Sequence, residues 1–220
     1  MSGSRFTVRD LSSGMPNLAP SKIVCVGRNY AAHAQELGND VPKEPLIFLK
    51  PPSSVIRGGE SIRLPTVSKQ VEYEGEIGVV IGTRLRKASP AEARKAVAGI
   101  VAANDVTARD LQQSDSQWTR AKGFDTFCAV GEVARPPEDF GSLEVTTRVN
   151  GEVRQSGRGS QMVFDIPTVL AYISSVMTLE PGDLVLTGTP EGVGTLAPGD
   201  VVEVEIAGVS RVSNPVTSDD

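Results

Sequence analysis

Apolar positions fall in short runs separated by turn residues, a pattern that predicts many brief strands and few helices. "KIVCVG" (22–27) and "PLIFLK" (45–50) are runs of strand length, the second closed by Pro51 and Pro52. Between them, "RNYAAHAQELG" places Asn29 where a helix cap would stand and Gly38 where the helix would end. "VEYEGEIGVVIG" (71–82) reads as one strand, because its internal glycines oppose a helix. "SPAEARKAVAG" (89–99) is the clearest helical segment, with Ser89 as cap, Pro90 at the first position and Glu92 closing a capping box. "IVAANDVT" follows as a strand ending in polar residues, and "ARDLQQ" suits a short helix. Further on, Asn150-Gly151 joins the two alternating segments of "LEVTTRVNGEVRQ" and predicts a hairpin. "DIPTVLAYISSVM" (165–177) has helical spacing behind Asp165, while "PGDLVLTG" and "PGDVVEVEIAG" each set a Pro-Gly turn before a strand. Strands outnumber helices and do not alternate with them regularly. That predicts an α+β domain with a sheet-dominated core, not a doubly wound sheet or a β/α barrel.

Composition narrows the picture without changing it. The 220 residues include 39% apolar and 22% charged residues, enough apolar surface for a cored domain. Fifteen prolines and 22 glycines agree with frequent turns. The net charge of −5 carries no basic stripe, so nucleic acid is not an expected partner. No apolar run approaches the roughly 20 residues of a membrane helix, and none is expected. Residues 1–20 read as a loose lead-in, and Cys25 and Cys128 lie too far apart to suggest a framework, so a reduced, cytoplasmic setting is expected.

Candidate chemistry begins in the 71–82 segment. Residues two apart in a strand share a face about 6.6 Å apart, so Glu72, Glu74 and Glu76 line up opposite Tyr73, Ile77, Val79 and Ile81. Carboxylates held this way suit a hard divalent cation; they equally suit the wet face of an edge strand. Asp105, at the end of an apolar strand, can complete such a site or simply cap a turn. With one histidine and no clustered cysteines, an ordinary zinc site is not expected; any metal should be oxygen-ligated, as Mg²⁺ or Mn²⁺. His33 and Glu36 stand three apart on the first predicted helix, where the carboxylate can orient the imidazole as a base, or where both can merely face water. "GTPEGVG" lacks the ending of a phosphate-binding P-loop.

"VGRNYAAHAQE", "PLIFLKP", the E-x-E strand, "NDVTARDLQ", "KGFDTF", "VNGEVRQ" and "LTGTPEGVG" occur in an order that resembles the fumarylacetoacetate hydrolase family. The likeness is greatest to its short branch of acylpyruvases and oxaloacetate decarboxylases, and it spans about residues 21–215, leaving 216–220 as a tail. It implies a mixed β-roll, a homodimer, and one Mg²⁺ or Mn²⁺ per subunit. By the same resemblance Glu74, Glu76 and Asp105 are the metal ligands, and His33 with Glu36 activates water. Lys122 stands beside the metal, Arg109 and Gln112 contact substrate, and Thr189 helps hold the substrate carboxylate. Glu72 is an extra acid ahead of the usual pair, at the surface or in an outer layer. The implied reaction is hydrolysis of the C–C bond of a small 2-oxo acid, an acylpyruvate, through a pyruvate enolate. Oxaloacetate decarboxylation or tautomerisation, or isomerisation of a 2-hydroxyhepta-2,4-diene-1,7-dioate, is the alternative on the same site. A non-catalytic metal- or oxo-acid-binding protein is the alternative of another class.

Overall fold

Residues 20–219 are described by a computed structural model, so the lead-in expected over 1–20 lies, Pro20 apart, outside the described residues. A seven-stranded sheet contains β1 (Ile23–Gly27), β2 (Leu46–Lys50), β3 (Val55–Arg57), β6 (Gly75–Ile81), β7 (Val97–Asp105), β9 (Cys128–Val130) and β12 (Leu184–Leu186). Its spatial order is β2-β1-β12-β6-β7-β9-β3, with β1–β12 and β3–β9 parallel. A five-stranded sheet, ordered β11-β10-β14-β15-β4, contains β4 (Ile62–Leu64), β10 (Glu144–Val149), β11 (Glu152–Arg158), β14 (Val201–Ile206) and β15 (Ser210–Ser218). Three short strands, β5 (Val71–Tyr73), β8 (Thr107–Ala108) and β13 (Gly194–Thr195), form a third sheet with β5 in the middle. The helices are α1 (Ala31–Glu36), α2 (Pro90–Lys95), α3 (Arg109–Ser114), α4 (Thr119–Lys122) and α5 (Ile166–Val176). The expected sheet-dominated α+β roll is the observed architecture.

The register of the large sheet explains where the site sits. Cys25 pairs with Leu186, Leu186 with Gly78, and Gly78 with Val101. Since alternate residues share a face, Ile23, Cys25, Leu184, Val101 and Cys128 form one apolar cluster. The opposite face, including Val24, Ile77, Val79, Ile81 and Ile100, joins the main core with α5 and the five-stranded sheet. The sheet curls into a half-barrel, so both faces are buried. Two residues along from that first cluster, on the same face, stand Glu76 on β6 and Asp105 on β7. Lys50 enters from β2, opposite Ile23. The acids therefore sit at one end of an apolar plug.

Several local expectations hold for their stated reasons. Ser89 and Glu92 exchange both capping-box bonds, Asp165 caps α5 through the Thr168 amide, and Asn150 and Gly151 take φ values of 53° and 83° in the hairpin turn. Others are corrected. The 71–82 segment is two strands in different sheets, parted at Glu74. Asn29 is not a helix cap; Tyr30 is, while the Asn29 amide bonds the backbone of Phe164 and Thr187 instead. The 89–99 helix stops at Lys95, because Val97 is already paired in β7. Strand β15 goes unread in the sequence because its inward positions, Ser210, Val212, Asn214 and Val216, are half polar. It continues to Ser218, pairing with β4 past residue 215.

Candidate active site

The interruption at Glu74 is held by a closed ring of hydrogen bonds. Gly75 N donates to Gln155 Oε1 at 2.9 Å, Gln155 Nε2 donates to Thr189 Oγ1 at 2.7 Å, and Thr189 Oγ1 donates to Gly75 O at 2.9 Å. The Glu74 amide meets Asn104 Oδ1 at 2.9 Å, and Glu74 O accepts from the Asp105 amide at 2.8 Å. This framework presents Glu74 and Glu76 on either side of Gly75, where a Cβ would lie 1.9 Å from Thr147 Oγ1. Gly75→Ala is therefore expected to lower stability by about 1–3 kcal/mol, seen as a melting temperature several degrees down, and to weaken metal binding through the displaced acids. A variant of wild-type stability would show that the ring tolerates the shift.

Four buried carboxylates meet here: Glu72, Glu74, Glu76 and Asp105. Glu72 is neither at the surface nor in the same sheet as Glu76; it accepts from Arg109 Nε and from Gln70 Nε2, each at 2.7 Å. Arg109 also reaches Glu74 Oε1 and Gln112 Oε1, so each of its three nitrogens already donates to a protein group. Lys122 Nζ bridges Glu74 Oε2 at 2.7 Å and Asp105 Oδ2 at 2.8 Å. Lys50 Nζ lies 2.7 Å from Asp105 Oδ1, yet its aligned hydrogen bond goes to Val106 O at 3.1 Å. Asp105 Oδ1 thus has a counter-charge and accepts no aligned hydrogen bond.

The electrostatics separate the acids. Burial pushes Glu74 toward neutrality, but Lys122 and Arg109 outweigh it and hold the carboxyl well below the usual range. Glu76 goes the other way: burial, then Asp105 and Glu74, raise it well above the usual value, with Lys122 and then the Gly188 amide at 2.6 Å opposing. Burial disfavours the Lys122 ammonium, and Asp105 and Glu74 more than compensate, raising it above an ordinary lysine. Neighbouring cations therefore do not fully compensate the cluster. Oxygens of Glu74, Glu76 and Asp105 lie within 4.8 Å of one another, an all-carboxylate set that fits a hard divalent cation. The orphaned Asp105 oxygen and the destabilised Glu76 charge are what such a cation would relieve.

These acids open into a cavity of ≈ 240 Å³ that His33, Arg109, Gln112, Lys122 and Thr189 also line. His33 Nδ1 lies 3.1 Å from Glu36 Oε2, and Glu36 Oε1 accepts from Gly192 N at 3.0 Å, tying α1 to the loop after β12. Trp118 meets Phe48 edge-on at 5.2 Å as part of the wall. A larger open groove of ≈ 980 Å³ runs past Arg57 and the β14–β15 turn; among the described residues the acidic cluster lines the smaller space and not this one. Cys25 and Cys128 are free and fully buried, and burial raises both thiols, Cys128 to about 12, which makes them core residues.

Every residue singled out in the sequence therefore lies at or beside one cavity, though not every one is free to act. The Thr189 hydroxyl spends its hydrogen on Gly75 O, and Gln112 Oε1 is taken by Arg109. Lys50 and Gln155 were not legible. Both fall inside segments that carry the family resemblance, "PLIFLKP" and "VNGEVRQ", but as a lysine closing an apolar strand and a glutamine on a hairpin arm neither shows a role by its type.

Relatives with this architecture carry names. The fumarylacetoacetate (FAA) hydrolase C-terminal family matches residues 22–217. The mitochondrial oxaloacetate decarboxylase of Dictyostelium discoideum is 46% identical over 195 residues, covering 86% of this chain and 89% of that protein. The mitochondrial oxaloacetate tautomerase FAHD1 of Arabidopsis thaliana is 46% identical over 201 residues, covering 87% and 89%. Among solved structures, the 2-hydroxyhepta-2,4-diene-1,7-dioate isomerase from Mycobacterium marinum superposes with a TM-score of 0.84 at 45% identity, covering 91% of this chain and 76% of that one. By its sequence and by its fold, this chain belongs to the fumarylacetoacetate hydrolase family.

Proposed function

We propose that the protein is a divalent-metal-dependent enzyme of small 2-oxo acids, with tautomerisation and decarboxylation of oxaloacetate as its main reactions. The observation that carries this reading is the buried Glu74–Glu76–Asp105 cluster sharing one cavity with a carboxylate-oriented histidine. Bound there, Mg²⁺ or Mn²⁺ would polarise the 2-oxo group and stabilise an enolate. His33, its ring fixed by Glu36, moves a proton between C3 and solvent, a contribution of about 10²–10⁴-fold for a positioned base. Lys122 keeps positive charge beside the acids, where developing oxyanion charge is best stabilised. Decarboxylation reaches a pyruvate enolate by loss of CO₂ and asks for no base.

Hydrolysis of acylpyruvates is the second reading, favoured by the same His33–Glu36 pair, which in that reaction deprotonates water. Oxaloacetate chemistry has the added support of the relatives named as an oxaloacetate decarboxylase and an oxaloacetate tautomerase. A cytoplasmic homodimer with one ion per subunit belongs to the same proposal.

A Mg²⁺-dependent panel of oxaloacetate, acetylpyruvate, fumarylpyruvate and a hydroxyheptadienedioate tests the reading. His33→Ala is expected to lower tautomerisation and any hydrolysis by about 10²–10⁴-fold while decarboxylation stays within about tenfold. Equal loss of all three would remove His33 as the base. Binding of 2-oxo acids with no turnover of any would mark a binding protein instead.

A further inference from the structure

Arg28 joins β1 to α1, with a φ of 58° in the left-handed region. A glycine adopts that conformation without penalty, whereas a side chain there is strained. The cause is next door. Asn29 Nδ2 donates to Phe164 O at 3.0 Å and Thr187 O at 2.8 Å, while its Oδ1 accepts from the Phe164 amide at 2.8 Å. Asn29 O takes the Val163 amide as well, at 2.8 Å. This clamp dictates the turn, and the half-buried Arg28 bears it while lining the cavity. Residues held this way cluster at ligand sites, and of the four non-glycine residues with positive φ among the described residues Arg28 is the one that lines the cavity.

The other cations of the cavity wall are already committed. Arg109 serves Glu72, Glu74 and Gln112, and Lys122 serves Glu74 and Asp105. No hydrogen bond or ion pair joins Arg28 to another described residue. A 2-oxo acid whose first carboxylate and 2-oxo oxygen face the acidic cluster leaves its far end to the rest of the wall. A guanidinium is the group suited to a carboxylate there.

Resting on the 2-oxo-acid reading above, we propose that Arg28 is a specificity residue that receives the second carboxylate of dianionic 2-oxo acids. Dicarboxylates are selected over monocarboxylates of the same length by this contact. The strain at Arg28 is tolerated because the contact is made.

Calorimetric titration of the Mg²⁺-loaded protein with 2-oxoglutarate and with 2-oxovalerate, equal in chain length and different in one carboxylate, tests this. The wild type is expected to bind 2-oxoglutarate about 10–100-fold more tightly, the range of one charge-assisted contact. Arg28→Gln should bring the two within about threefold, and Arg28→Lys should keep part of the preference. Arg28→Gly should lose the preference while melting no lower than wild type, because the turn is then unstrained. An intact preference in Arg28→Gln, equal weakening of both acids, or no preference in the wild type would overturn the assignment. A wild-type preference lost in Arg28→Gln, alongside a failure to turn over oxaloacetate, would overturn the catalytic reading and leave the assignment standing.

Discussion

Asp105→Asn is expected to abolish turnover in Mg²⁺ and to weaken divalent-cation binding at least about 100-fold. The change keeps shape and removes one charge from a buried set. Two ammonium groups depend on that charge: Lys50 at 2.7 Å from one oxygen and Lys122 at 2.8 Å from the other. Replacing the carboxylate by an amide leaves Lys50 facing a neutral group in a low-dielectric space, while Lys122 keeps only Glu74. Breaking a buried pair in this way typically costs about 3–5 kcal/mol, or roughly 10 °C in melting temperature for a chain this long. Cation titration, steady-state turnover and thermal unfolding each read one part. Wild-type turnover by Asp105→Asn, or by the native protein in excess chelator, would sink the metal-dependent reading.

Lys50→Met separates the two jobs that charge performs near Asp105. Lys50 is 1% exposed and its ammonium also donates to Val106 O, so methionine fills the stem's space without the charge. Without a cation, Asp105 then keeps Lys122 alone at Oδ2 while its Oδ1 has no partner, and the chelator-treated variant is expected to melt several degrees below wild type. A divalent cation held by Asp105 would supply the missing charge, so Mg²⁺ or Mn²⁺ should recover much of the loss and stabilise Lys50→Met more than wild type. Thermal unfolding with and without each ion measures the difference. Equal stabilisation of both proteins would mean that Lys50 and the cation do not share Asp105.

Much of the local fold was legible because its signals are local. The Ser89–Glu92 box, the Asp165 cap and the Asn150-Gly151 turn act within a few residues, and each forms as its sequence predicts. The ends of elements were less legible where long-range pairing decides them. Val97 leaves helical spacing for β7 because a partner strand awaits it, and the 71–82 strand breaks because β5 and β6 are recruited by different sheets. Asn29 has the right type for a cap and is used across 135 residues to hold Phe164. A propensity carries no information about partners that far away.

For the site, the amino-acid sequence determined the chemistry available. One histidine, no clustered cysteines and acids spaced two apart leave an oxygen-ligated cation as the natural guest, and alternation along β6 and β7 aims Glu76 and Asp105 at one face. The tertiary structure alone decided how those charges coexist. It brought Lys50 from β2 and Lys122 from α4 onto Asp105, sank Glu72 against Arg109, and tied Thr189 into the ring around Gly75. The reason is physical: a strand's period fixes which way a side chain points, but the cost of burying its charge is settled by groups that only folding brings within 3 Å.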